Sequence, residues 1–196
     1  VNDELPLFPL GLVLFPQGAL PLRIFEPRYV DMVGRCLREG SPFGVVTIRE
    51  GREVGAAARF HAVGTSARIV DFDALPDGLL GIACRGERRL RVLSYRVRPD
   101  QLVVGTVEWL PEVSPQPVPA PYHALPDLLR RVLASDAAQA YAAQLTPDWD
   151  DAGWVCDRLA ELLPLPVGLR LALLELDDQQ QRLDLLYAVL QEQRLG

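Results

Sequence analysis

The chain contains no lysine; all 20 of its basic residues are arginine. That absence excludes a P-loop lysine, a Schiff-base lysine and a Ser-Lys peptidase dyad, because each of these needs an amine that arginine cannot replace. Cysteine is scarce as well. Cys36, Cys84 and Cys156 are an odd number, far apart and without a C-x-x-C pair, so they signal neither a disulfide framework nor a zinc knuckle; they read as buried free thiols. His61 and His123 are the only histidines, and neither has a cysteine or histidine at ligand spacing. No metal, no cofactor and no Cys-His nucleophile is expected on these grounds. No apolar run reaches the ~18 residues of a membrane span. Asp3 and Glu4 put acids where a leader peptide would carry bases, so the expected compartment is the cytoplasm.

What is present describes a globular protein. With 196 residues, 49% hydrophobic and 23% charged, the chain is long enough to bury a real core, on the order of 70% of its unfolded surface. Its organising stretch is Leu5 to Tyr29, dense in large apolar residues but interrupted by Pro6, Pro9, Pro16, Pro21 and Pro27. Proline gives no N–H to a ladder, so this stretch reads as short strands turning corners, followed by a helix. Pro27 suits the first turn of that helix and Gly40 its stop. Phe43 to Arg49 reads as a buried strand. Two further strands flank the Pro76-Asp77-Gly78 turn within Ala57 to Val97, and Gln101 to Leu110 gives another.

Beyond that point the composition changes. Residues 111 to 126 hold six prolines, after which the apolar period becomes helical. Leu125, Leu128, Leu129, Val132 and Leu133 form one stripe, and an alanine-rich continuation runs to Ala143. Thr146-Pro147 resembles an N-cap followed by proline at the first helical position. Val155, Leu159, Leu162 and Leu163 then mark one helix, Pro164-Leu165-Pro166 stops it and starts another through Leu176, and Leu183, Leu186 and Leu190 mark a last helix. The expected fold class is α+β: a β-rich part with one helix over residues 1–112, a proline-rich linker over 113–122 and an α-helical bundle over 123–196.

Few clusters invite chemistry. Asp71 and Asp73 lie beside a turn and read as loop solvation, while Asp148, Asp150 and Asp151 lack the glycine and terminal glutamate of a calcium loop and suit a helix N-terminus. Arg85, Arg88, Arg89 and Arg91 form the one basic cluster. Strand alternation sends Arg89 and Arg91 to one face, and a formal charge of −6 with a pI near 5.0 opposes a polyanionic partner.

Several motifs together resemble the N-terminal substrate-binding domain of Lon proteases. They are Pro6-Leu7-Phe8-Pro9-Leu10, Pro16-x-x-x-x-Pro21-Leu22, Phe25-Glu26-Pro27-Arg28-Tyr29, Gly64-Thr65-Ser66-Ala67-Arg68-Ile69, Pro76-Asp77-Gly78, Gly86-x-x-Arg89 with Leu90-Arg91-Val92, and Leu163-Pro164-Leu165. The resemblance implies a PUA-like β pseudo-barrel followed by helices. It also implies a bacterial, stand-alone module that binds unfolded or peptide-like polypeptide beside a protease system, without the ATPase and peptidase parts. Phe8, Phe15, Arg23, Phe25, Glu26, Arg28 and Tyr29 are the candidate groove residues. For Glu26 and Arg28 a buried ion pair pinning the helix is the structural alternative. Phe25 reads as a core residue whose truncation costs about 3–5 kcal/mol. The competing readings are a PUA-like nucleic-acid binder or a hydrolase.

Overall fold

The computed structural model describes residues 3–195 and divides into two compact units, Val1–Leu110 and Pro111–Gly196. The secondary structure is α+β. Unit 1 contains β1 (Asp3–Leu10), β2 (Ala19–Ile24), α1 (Pro27–Glu39), β3 (Phe43–Glu50), β4 (Arg59–Ala74), β5 (Leu80–Val97) and β6 (Val103–Trp109). Its strands are ordered β2-β5-β4-β3-β1-β6, and β5 also pairs with β6. The sheet therefore closes on itself through five strands, consistent with a PUA-like pseudo-barrel, while β2 stays outside the ring. Closure is possible because β5 is long enough to serve two neighbours: Leu80 to Arg85 pair with β2, and Leu90 to Val97 pair with β6.

The prolines of β1 occupy places where the strand has one neighbour. Asp3 to Leu7 pair with β6 and Leu7 to Leu10 with β3, so at Pro6 and at Pro9 one side of the backbone has no ladder to supply. Leu7 sits at the changeover and is fully buried with Leu5, Val46, Leu90, Val92, Val103 and Val107. A second apolar cluster lies under α1, where Tyr29, Met32, Val33 and Cys36 meet Phe8, Ile24, Phe43 and Ile82. Helix α1 starts with Pro27 in its first turn and ends at Gly40, whose φ of 62° is the left-handed value that glycine tolerates.

The chain between β1 and β2 is tied to the ring by side chains. Thr47 Oγ1 donates to the Leu12 carbonyl at 2.8 Å and Thr65 Oγ1 to the Leu14 carbonyl at 2.6 Å. Gly86 allows the close approach, since a Cβ there would fall inside van der Waals contact of the Phe15 carbonyl, and within the ring Gly64 of β4 does the same for the Val45 carbonyl of β3. Arg89 and Arg91 stand two residues apart in β5 with no register shift between them, but Arg89 is buried whereas Arg91 is exposed. Arg88 lies over the Trp109 ring at 4.7 Å.

Unit 2 contains α2 (Ala124–Leu133), α3 (Gln139–Ala142), α4 (Ala152–Leu162), α5 (Val167–Glu175) and α6 (Gln179–Leu195). The proline-rich stretch does not run free. Ala152 N donates to the Gln116 carbonyl at 2.8 Å, Gln116 N to Asp151 Oδ1 at 3.1 Å, and Pro117 bridges to Asp151. Asp151, not Thr146, caps α4. Its carboxylate accepts from the N–H groups of Gly153 and Trp154, and Thr146-Pro147 remains in the preceding loop. Two free N–H groups matched to one carboxylate outweigh the Thr-Pro signal five residues earlier. The alanine-rich continuation of α2 is likewise broken at Ser135, where short turns precede α3.

Candidate functional site

Where β2 runs into α1, the strand and the helix leave a cavity of about 290 Å³. Phe8 and Leu10 of β1 and Tyr29 of α1 line it, together with Pro21, Leu22 and Ile24 of β2. The rings of Phe8 and Tyr29 are stacked, 3.8 Å between centroids and 17° between planes. Arg23, Phe25 and Glu26 line the cavity from the β2–α1 corner, and Glu53 and Val54 from the loop after β3. Phe25 and Val54 are each 53% exposed, so two large apolar residues of this cavity face solvent.

Charge at the site is largely neutralised in pairs. Arg28, 6% exposed, pairs with Glu26 at 3.0 Å and donates to the Gln101 carbonyl at 2.9 Å. It also lies over the Tyr29 ring at 4.6 Å. Glu26 accepts in addition from the Gly55 N–H at 3.3 Å, and Glu53 from the Gly11 N–H at 2.6 Å, so one carboxylate ties the loop after β3 to the corner and the other ties it to the end of β1. Arg23 pairs with Asp77.

Of the seven residues singled out in the sequence, Phe8, Arg23, Phe25, Glu26 and Tyr29 line this cavity. Arg28 lies behind it, in the Glu26 pair. Phe15 is not part of it: the ring is 0% exposed, in a turn where Gly18 N donates to the Phe15 carbonyl. The core placement of Phe25 is corrected as well. It follows buried Ile24 with the parity of the exposed Pro21 and Arg23, so the alternation of β2 carried into the turn leaves its ring half in solvent. Sequence reasoning missed Glu53 and Val54. Their one local signal is the flanking Gly51 and Gly55, both at positive φ.

Burial pushes the Tyr29 phenol up to about 12, opposed by the Arg28 guanidinium and reinforced by Glu26 and Glu53. Burial also pushes the Cys84 and Cys156 thiols up to about 12. Unfolded, the phenol ionises near 10 and the thiols near 8.5. Above those values the folded state keeps protons that the unfolded chain has released, so stability is full below them and falls as pH rises toward 12. With no lysine titrating in this window, the fall is expected to show directly as a declining urea midpoint from pH 9 to 12. Tyr29→Phe should flatten the part above pH 10. A midpoint constant across the window would contradict the burial of these groups.

Among the described residues, no group of three or more His, Cys, Asp and Glu side chains is placed to hold a metal. No helix among them is long and apolar enough to cross a membrane. A family model described as the ATP-dependent protease La (LON) substrate-binding domain matches residues 4–192. The chain belongs to that family. A crystal structure of a Lon N-terminal domain protein from Xanthomonas campestris is similar to it, with a TM-score of 0.79 and 43% identity, covering 95% of this chain and 98% of that one. Lon protease 2 of Myxococcus xanthus is 28% identical over 99% of this chain and 24% of its own length. The Lon protease of Brevibacillus choshinensis is 25% identical over 97% of this chain and 25% of its own length. The chain thus spans about a quarter of the length of these curated relatives, and the family it matches is that of the substrate-binding part, not the catalytic part.

Proposed function

We propose that the chain is a non-enzymatic module that holds exposed apolar segments of unfolded or peptide-like polypeptide for a proteolytic system, in the cytoplasm. The observation that carries this reading is the β2–α1 corner itself. It has an apolar cavity lined by a stacked aromatic pair, and Phe25 and Val54 are left half in solvent there. Exposed large apolar side chains beside a concave apolar surface suit a protein ligand, because covering them removes apolar area from water. The pairing of Arg28 with Glu26 and of Arg23 with Asp77 leaves little free charge to hold a polyanion. Three free buried thiols suit a reducing compartment. Contacts of α4 with α2, α5 and α6 support reading unit 2 as a helical bundle, joined to the β part through the proline-rich stretch at 113–122.

The test is a titration of a fluorescent peptide from a denatured protein and of a short RNA, each at low and high salt. Peptide binding through apolar contacts should persist at high salt, whereas phosphate contacts would weaken steeply with log salt. Phe25→Ala should weaken peptide binding at least about fivefold, the effect of a buried interface aromatic. The same substitution should cost less than about 1 kcal/mol of stability, because the ring is half exposed. Salt-sensitive RNA binding without peptide binding would overturn the reading.

A further inference from the structure

Strand β2 has one neighbour. Among the described strands of unit 1 it alone pairs on a single side, with β5, and its other edge is open. Which backbone groups lie on that edge follows from the ladder. Gly86 N donates to the Gly18 carbonyl at 2.9 Å, and the antiparallel register then runs without irregularity from Ala19 opposite Arg85 to Ile24 opposite Leu80. Hydrogen-bonded and non-hydrogen-bonded pairs alternate in such a ladder, so Leu20, Leu22 and Ile24 exchange bonds with β5. Ala19, Pro21 and Arg23 direct their N–H and C=O groups the other way. Pro21 fits this parity, since it has no N–H to give and stands where β5 requires none. Pro21 and Arg23 are exposed, and both line the cavity. At the cavity, the edge therefore presents one donor, Arg23 N–H, and two acceptors, the carbonyls of Arg23 and Pro21.

We propose that this edge takes an extended polypeptide segment as an added strand, with Arg23 as the pairing residue; this rests on the polypeptide-binding reading above. An extended backbone is the ligand that supplies alternating donors and acceptors at the spacing of every second residue, about 6.8 Å. In antiparallel addition, the ligand residue opposite Arg23 exchanges both of its backbone bonds, and the residue opposite Pro21 donates one. The residue between them lies opposite Leu22, on the face that Leu22 and Ile24 turn to the cavity. Its side chain enters beside Phe8 and Tyr29. The segment selected is short and carries one bulky apolar side chain between residues of any polarity. Pro21, lacking a donor, limits how far pairing extends and guards the edge against indiscriminate sheet growth.

The experiment uses the whole chain and a seven-residue labelled peptide, Thr-Ser-Thr-Phe-Thr-Ser-Thr, whose single aromatic sets the register. N-methylation is introduced at one backbone nitrogen at a time. Methylating either residue flanking the Phe should weaken binding about tenfold, the loss of a ladder bond, while methylating the Phe nitrogen should change it less than about twofold. The reverse alternation would be the parallel form of the same strand addition and would equally support it. Hydrogen exchange of the Arg23 amide, followed by NMR, should slow at least about tenfold in saturating peptide. Binding that tolerates methylation at every position and leaves Arg23 exchange unchanged would overturn strand addition while the polypeptide-binding reading stands. Absence of binding by this and other apolar peptides would overturn both.

Discussion

Asp157→Ala is expected to destabilise unit 2 by about 3–5 kcal/mol, the cost of leaving one member of a buried ion pair without its counter-charge. The Arg182 side chain is 5% exposed and Asp157 9%, and the guanidinium is held on three sides. Its Nε donates to the Leu173 carbonyl at 3.0 Å, one terminal nitrogen to Gln179 Oε1 at 3.2 Å and the other to Asp157 Oδ1. Removing the carboxylate leaves a buried cation with two neutral acceptors, the Leu173 carbonyl and Gln179 Oε1. The attraction of the pair is not itself the source of stability. Replacing both residues, as Asp157→Leu with Arg182→Met, should therefore recover most of the loss, because apolar residues of similar volume avoid the desolvation cost that the ions carry. Urea unfolding followed by tryptophan fluorescence reports on this region through Trp154, which is buried in α4. A single-variant loss below about 1 kcal/mol, or a double variant no better than the single, would contradict this account.

Phe8→Ala should cost a similar amount in unit 1, about 3–5 kcal/mol, through lost burial and the cavity left behind. Phe8 is buried, stacked on Tyr29 and 6.1 Å from the Phe43 ring, so its truncation removes one wall of the cavity and the partner that orders Tyr29. The contrast with Phe25→Ala is the informative part. Both are phenylalanines lining one cavity, yet Phe8 belongs to the ordered core and Phe25 is half in solvent. Denaturant titration of the two variants should separate them by at least about 2 kcal/mol. Equal losses would show that exposure does not divide them.

Features whose cause is local were legible from the residues alone. Pro27 and Gly40 bound α1 because a proline ring and a left-handed glycine act within one turn. The Pro76-Asp77-Gly78 turn forms as expected, with Gly78 N donating to the Leu75 carbonyl at 2.8 Å and φ of 80° at Gly78. The stretch Leu5 to Tyr29 organises the chain because apolar density and proline conflict there. That conflict is resolved by neighbours the stretch itself does not contain: β6 beside Pro6, β3 beside Pro9 and an open edge beside Pro21.

Three outcomes depended on residues far apart in sequence. Phe15 and Phe25 have the same side chain in the same apolar stretch, and only the cover of distant segments buries one and exposes the other. Glu53 and Val54 reach the cavity because carboxylate contacts to Gly11 and Gly55 hold their loop there, and no period or motif encodes such contacts. Arg89 and Arg91 share a strand and a residue type but not an environment. The chain by itself determined the family, the α+β class and the positions of α1 and the β4–β5 turn, since propensity, proline and glycine act over a few residues. Tertiary structure alone decided how the ring closes, which aromatics are exposed and which strand keeps an open edge, because those follow from pairings between segments up to about a hundred residues apart, where burial rather than local preference sets the answer.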